Sequence, residues 1–351
     1  MSIFTTYHVA VRGISAAVPQ QQVSNRDYEW ISPSEREMLI KTTGIELRRV
    51  AAPDVATSDM GLAAAEALLV AADWDKESID VLIWVSQSPD YHLPATAIIL
   101  QNRLQLPKSC MAFDLNLGCS GYVYGLSVMT SLLQSGQLKR GILIVGDKST
   151  SGLSYRDKST YPLFGDCCTA TLLEFSPDAP PIYFNMQSDG SGKDAIIIPD
   201  GGIRNPLSDI TFVEAEYAEG IVRHRKNLWL DGMAVFNFAL REVVPNANAL
   251  MSYIGTTIND YDYFVFHQAN KLMNESIRKK LKLPVEKVPY TLADYGNTSS
   301  ASIPLTIVAR LREAVQTQSV RMVCAAFGVG LSWGSVALQT DAIVCPPIVE
   351  I

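Results

Sequence analysis

Asp114-Leu-Asn-Leu-Gly-Cys-Ser-Gly-Tyr-Val-Tyr-Gly125 ends a short apolar run in a tight Gly-Cys-Ser-Gly turn. It then opens an apolar stretch with helical spacing at Val123, Leu126, Ser127 and Thr130. This is a strand-to-helix junction, and it places Cys119 before the positive end of a helix dipole, among backbone NH groups with no helical partner. Such a setting favours thiolate over thiol, and thiolate is the nucleophile. A cysteine here also suits the ordinary role of a small buried apolar side chain, so the rest of the chain has to decide between the two.

Outward from the junction, strand-like runs alternate with helical stretches, which points to an α/β architecture with substantially parallel sheet. The first half holds Val81-Leu-Ile-Trp-Val-Ser86, Gly141-Ile-Leu-Ile-Val-Gly146 and Thr169-Ala-Thr-Leu-Leu173. Tyr263-Phe-Val-Phe266, Met322-Val-Cys-Ala-Ala326 and Ser335-Val-Ala-Leu338 follow in the same order in the second. Asn116-Leu-Gly-Cys-Ser-Gly121 and Tyr295-Gly-Asn-Thr-Ser-Ser-Ala301 are the corresponding junctions ahead of helices. The expectation is two similar halves, 1–178 and 179–351, joined where Ser176-Pro-Asp-Ala-Pro-Pro181 breaks the pattern. Cys119 and Asn297 then occupy related positions and face one cleft. Helices are expected over Met60–Val70, over Pro94–Leu104 with proline in the first turn, and over Asn270–Leu281.

Bulk composition removes several function classes. A chain of 351 residues, 48% hydrophobic, buries a large core. Its net charge of -7 gives no overall basic footprint for nucleic acid. No apolar run reaches the ~20 residues that span a bilayer, and no basic leader precedes an apolar stretch, so a soluble, cytoplasmic protein is expected. Six cysteines (Cys110, Cys119, Cys167, Cys168, Cys324, Cys345) form no C-x-x-C pair and no cluster with histidine at metal spacing. Reduced thiols, with no metal, are the expectation.

Two further residues complete a chemical set. His267 closes the run Tyr263–Phe266 and opens the next helix, where the helix dipole opposes an imidazolium and favours the neutral ring. Asn297 stands in Tyr295-Gly-Asn-Thr-Ser299, a place that also suits a turn or helix cap. With Cys119 holding an acyl group as a thioester, His267 and the Asn297 amide can donate to one developing oxyanion. That pair suits a malonyl-type thioester losing carbon dioxide, because the enolate oxygen needs two donors and no metal. The glycines of Ala326-Phe-Gly-Val-Gly-Leu-Ser-Trp-Gly334 either let backbone NH groups approach the acyl carbonyl or make a tight turn between strands.

In these motifs the chain resembles the β-ketoacyl-acyl carrier protein synthase III family of thiolase-superfamily condensing enzymes. The resemblance runs through Lys41–Arg49, Asp114–Gly125, Leu163–Ala170, His267–Asn270, Tyr295–Ser299 and Phe327–Gly334. It implies a thiolase-like five-layered αβαβα fold, a homodimer and no cofactor. It also implies decarboxylative Claisen condensation, with Cys119 as nucleophile and His267 with Asn297 as the malonyl oxyanion pair. The backbone NH groups of Cys119 and Gly330 make the second oxyanion site. Leu93, Phe164, Lys158, Asn270 and Phe327 fall at substrate-binding positions, Leu93 on a loop that reaches the partner subunit's acyl pocket. Lys271, Arg278, Lys279 and Lys280 offer a basic face for an acidic carrier protein, or an ordinary solvated helix face. Met38 and Thr42 stand where the family commonly has a Trp and an Arg that hold the adenine end of coenzyme A, and Lys158 where an Arg completes the stack. Aromatic stacking is lost there, and a lysine does not replace a planar guanidinium. The donor is therefore either an acyl-acyl carrier protein or an acyl-coenzyme A held differently, with malonyl-acyl carrier protein as the extender. Acyl transfer to a hydroxyl or amine without decarboxylation, and a subunit of a heteromeric condensing enzyme, remain as alternatives.

Overall fold

The apolar runs become the strands of two large sheets in a computed structural model that describes residues 2–351. In chain order the elements used below are β1 (Ser2–Thr6), β2 (Val9–Val18), α1 (Pro33–Thr43), α2 (Thr57–Ala72), β3 (Val81–Val85), α3 (Thr96–Arg103), β4 (Met111–Leu115), α4 (Gly121–Leu133), β5 (Arg140–Asp147), β6 (Cys167–Phe175), β7 (Ile182–Ser188), α5 (Gly232–Ile254), β8 (Tyr263–Phe266), α6 (Lys271–Lys280), α7 (Ser302–Arg310), β9 (Val320–Gly328), β10 (Ser332–Thr340) and β11 (Val349–Glu350). Each helix expected from the sequence forms within a few residues of its anticipated limits. Pro94 lies outside its helix, which Ala95 caps. Asn270 is itself a cap, its side chain accepting from Met273 N.

The first sheet runs β11-β2-β6-β5-β3-β4 and the second β1-β7-β10-β9-β8. Four strands of each follow one scheme. In β2-β6-β5-β3 the successive pairings are antiparallel, antiparallel and parallel, and β7-β10-β9-β8 repeats them. Both sheets are therefore mixed, where the alternation of strands and helices had suggested mostly parallel pairing. The reason is local: no α-helix separates β5 from β6, and only Val329–Leu331 separates β9 from β10, so these neighbours return antiparallel. The ends of the chain are exchanged between the sheets, with β1 pairing with β7 of the second half and β11 with β2 of the first.

Helices and sheets stack in five layers. Helices α2 and α3 cover the outer face of the first sheet with Met60, Leu68, Ala97 and Leu100 against Leu82, Trp84 and Ile144. Between the sheets, α4 and α7 contribute Val123, Leu126, Ile303 and Leu305 to the largest apolar cluster, together with inward residues of both sheets such as Val85, Val145, Val265 and Ala326. Helices α5 and α6 cover the second sheet's outer face through Phe238, Leu250 and Ile277. A helix buried between two sheets must be apolar all round, and nine of the thirteen residues of α4 are buried. This central layer positions the site, because the loops leading into α4 and α7 meet at its edge.

Candidate active site

Cys119 sits just before α4 and is 9% exposed, while Ser120, the helix cap, bonds Ser332 Oγ at 2.7 Å. His267 follows β8, buried, with its backbone NH on Ala325 O at 2.9 Å. Asn297 is clamped against Phe164 by two backbone bonds, Asn297 N to Leu163 O at 2.9 Å and Gly165 N to Asn297 O at 3.0 Å. All three line one cavity of about 260 Å³. Gly296, ahead of Asn297, has φ +66, and a Cβ on it would lie 2.8 Å from Leu163 O. Only glycine suits that backbone so close to a carbonyl.

The donor geometry follows from these placements. His267 Nδ1 and the Ser302 hydroxyl share a bond of 2.8 Å. With Ser302 donating, Nε2 carries the ring proton. Burial lowers the His267 pKa to about 4, so the ring is neutral at physiological pH, as the sequence led one to expect, although burial rather than a helix dipole is the cause. Asn297 Oδ1 accepts from Ser299 N at 2.9 Å, which turns the amide so that its NH2 has no partner among the described residues. The ring of Phe327 meets the imidazole edge-on at 5.5 Å.

Cys119 departs from expectation. Burial pushes the thiol up to about 11, the nearby Asp147 adding to the rise, while the backbone at Val329 and the Ser299 hydroxyl act in the opposite sense. In the unloaded site the sulfur is a thiol, because desolvation of the charged form outweighs a helix end that acts from one residue away. The glycine loop is also shifted by one residue. Gly328 lies against the nucleophile, where a Cβ would sit 2.6 Å from Cys119 Cβ and 2.7 Å from Sγ, and Val329 presents its backbone to the sulfur. Gly330 is not among the residues lining the cavity, whereas Val329 is.

The other expected positions divide. Phe164, Asn270 and Phe327 line the cavity. Lys158 lies outside it, its Nζ 3.1 Å from Glu35, which is held ionised near pKa 2 by the Ser32 hydroxyl first and Lys158 next. Leu93 is 86% exposed, on a loop beside Tyr91 and Pro94 and away from the cavity. Of the basic residues on α6, Arg278 is tied to Glu275 through two bonds of 3.0 and 2.8 Å and to Leu283 O. Arg278 is half-buried, whereas Lys271, Lys279 and Lys280 are exposed. Tyr122 and Trp333 belong to the apolar core and Tyr124 packs against it. The sequence reading missed Asp147, Ser299 and Val329. It also missed the apolar wall of Ile196, Ile198, Leu228, Leu230, Val235 and Met273, whose side chains carry no motif.

Five layers built on a repeated strand scheme, with the loops of the central helices opening into one cavity, make this a thiolase-fold protein. Comparison with known proteins narrows the class. Residues 113–190 match the family model 3-oxoacyl-[acyl-carrier-protein] synthase III, and residues 251–340 match the model of that family's C-terminal region. A β-ketoacyl-[acyl-carrier-protein] synthase III of Chlamydia caviae is 35% identical over 92% of this chain and 94% of its own length. A 3-oxoacyl-(acyl-carrier protein) synthase of Burkholderia xenovorans superposes with a TM-score of 0.94 at 37% identity, covering 99% of both chains. A priming β-ketosynthase of a polyketide pathway superposes at 0.80 with 26% identity, covering 97% of this chain and 98% of its own. The chain belongs to the β-ketoacyl-acyl carrier protein synthase III family.

Proposed function

We propose that the protein is a condensing enzyme that joins an acyl group carried on Cys119 to a malonyl thioester with loss of carbon dioxide. The observation that carries this reading is the convergence of a neutral His267 and an uncommitted Asn297 amide on the cavity that holds the Cys119 sulfur. In acyl loading, sulfur attacks the thioester carbonyl, and the NH groups of Cys119 and Val329 take the oxyanion until the bond to the departing thiol breaks. In the second half-reaction the malonyl C–C bond to the carboxylate breaks and carbon dioxide leaves. The electron pair passes to an enolate whose oxygen accepts from His267 Nε2 and Asn297 Nδ2. The enolate carbon attacks the acyl carbonyl, and collapse expels the Cys119 thiolate, which takes a proton from solvent.

The malonyl group arrives on acyl carrier protein in this reading, steered by Lys271, Lys279 and Lys280. The acyl donor is also carrier-bound, because Lys158 has its charge offset by Glu35 and the exposed Met38 offers no aromatic platform. The working unit is a homodimer. Strand β4 pairs on one side only, and Met111 on it is exposed, as are Tyr91, Leu93 and Ile98 of the adjoining loop and helix. An apolar strand edge of this kind calls for cover. The test is the intact mass of the protein after incubation with matched acyl-coenzyme A and acyl-carrier thioesters. Malonyl-carrier protein is then added and carbon dioxide and the β-ketoacyl product are measured. An adduct lost in Cys119→Ala and discharged by malonyl-carrier protein supports the reading. An adduct that malonyl-carrier protein cannot discharge, but a hydroxyl or amine acceptor can, would establish plain acyl transfer instead.

A further inference from the structure

Beyond the Cys119, His267 and Asn297 set, the cavity contains a carboxyl group with no basic partner. Asp147, the last residue of β5, is 3% exposed and lines the same cavity as Cys119 and Ser299. It forms no ion pair among the described residues. Its Oδ1 accepts from the Ser86 hydroxyl at 3.1 Å and Gln87 N at 2.7 Å, and its Oδ2 from the Ser300 hydroxyl at 2.8 Å. Ser300 N adds a longer contact at 3.4 Å. Ser299 lines the cavity together with Asp147 and Cys119, and its hydroxyl is near enough to both groups to oppose the rise in their pKa values. Ser299 is also one of few non-glycine residues with positive φ, at 50°, and it is buried. Such a backbone persists where surrounding structure enforces it, and it clusters at functional sites.

We infer that Asp147 is the proton acceptor for the Cys119 thiol, acting through the hydroxyl of Ser299. The inference rests on the reading of Cys119 as the acyl acceptor. His267 is poorly suited to the task, since its Nδ1 is engaged by Ser302 and a ring with its pKa lowered to about 4 is a weak base. Burial raises the proton affinity of Asp147 despite its hydrogen bonds, and two buried acidic groups so placed share one proton rather than ionise together. Moving that proton from sulfur to carboxylate leaves the number of buried charges unchanged. As Sγ attacks the acyl carbonyl, its proton passes to Ser299 Oγ and the Ser299 proton passes to Asp147. When the C–S bond to the donor breaks, the leaving thiolate takes the proton back by the same route, so Asp147 ends ionised and the step is balanced. Around this pair lie Cys167 and Cys168 on β6, His267 beyond Ser299, and Lys148. Lys148 turns its Nζ away, to the carbonyls of Ala52 and Val55 at 2.6 and 2.7 Å.

The experiment measures alkylation of Cys119 by iodoacetamide from pH 5 to 9, read by intact mass, in the wild type, Asp147→Asn, Asp147→Ser and Ser299→Ala, with Cys119→Ala as background. A proton acceptor predicts that the variants at 147 and 299 react about 100-fold more slowly at neutral pH, with the rise in rate moved to higher pH. Asp147→Asn reacting as fast as the wild type, or faster, overturns the inference, because removing a like charge beside sulfur would by itself ease ionisation. An unchanged Ser299→Ala overturns it as well, and decides alone if the variants at 147 lose a cooperative melt. Acyl loading is scored separately. Slowed alkylation in a protein that no acyl thioester loads would refute the proposed function and leave the proton route standing. Normal alkylation of the variants in a protein that loads well would do the reverse.

Discussion

The two loops that lead into the central helices make an instructive pair. Leu117–Gly121 ahead of α4 and Gly296–Ala301 ahead of α7 open from matching parts of the two halves into one cavity, yet they present opposite chemistry. The first offers a sulfur whose proton is held tightly by burial. The second offers Asn297, Ser299 and Ser300, neutral groups fixed by hydrogen bonds to one another and to Asp147. A repeated strand scheme thus supplies two addresses, and in the proposed reaction the side chains divide the labour between bond formation and charge stabilisation.

That division can be broken one side at a time. The largest effect is expected from Cys119→Ala, which should abolish the acyl adduct altogether by intact mass. Asn297→Ala should slow carbon dioxide release by about 100- to 1,000-fold, the loss typical of one oxyanion donor, while acyl loading stays close to normal. Loss of both half-reactions in Asn297→Ala would mean that the two loops do not act separately. Gly328→Ala forces a methyl group against Cys119 and should cut acyl loading about 100-fold through misplacement of the sulfur. A smaller effect is expected from charge reversal at Lys279 and Lys280, which should raise the apparent KM for carrier-bound substrate several-fold, and less so at high salt.

His267 sharpens the comparison through pH. Its folded pKa, lowered by burial from 6.5 to about 4, means that the unfolded chain takes up the proton first as pH falls. The contribution is therefore intact above about pH 6.5 and is lost progressively between 6.5 and 4, by roughly 3 kcal/mol in all. Denaturant titrations at pH 7 and pH 4 should show a smaller difference in His267→Gln than in the wild type. The same lowered pKa predicts that the decarboxylation step varies little between pH 5 and 8.

Much of the candidate site was legible because each of its three key side chains stands inside its own motif at the end of an apolar run: Cys119 in Gly-Cys-Ser-Gly, His267 after Tyr263–Phe266, Asn297 after Tyr295-Gly. The strands were legible for the same reason, although their directions depended on connection lengths. What escaped was set by tertiary distance. Glu35 neutralises Lys158 from far away in the chain, and the burial that keeps Cys119 protonated comes from Phe327–Val329 and the central layer. Asp147 reads as an ordinary acid ending a strand, and only folding shows that no cation among the described residues meets it. That Val329 rather than Gly330 lines the cavity has another cause. An oxyanion site needs a backbone NH, which any residue but proline supplies, whereas the glycine is needed one place earlier, at Gly328, where the chain grazes the nucleophile. The pairing of Arg278 with Glu275 could have been read from sequence, since the two stand three residues apart on one helix face.

The exchanged edge strands bear on how the chain is made. Val349–Glu350 extends the sheet that holds Val9–Val18, and Arg49 reaches Glu350 at 2.8 Å, so the earlier strand waits for residues synthesised much later. Contacts of this span close slowly. A nascent chain holding only the first half shows an unfinished sheet border, and removing Val349–Ile351 should loosen an element laid down hundreds of residues earlier.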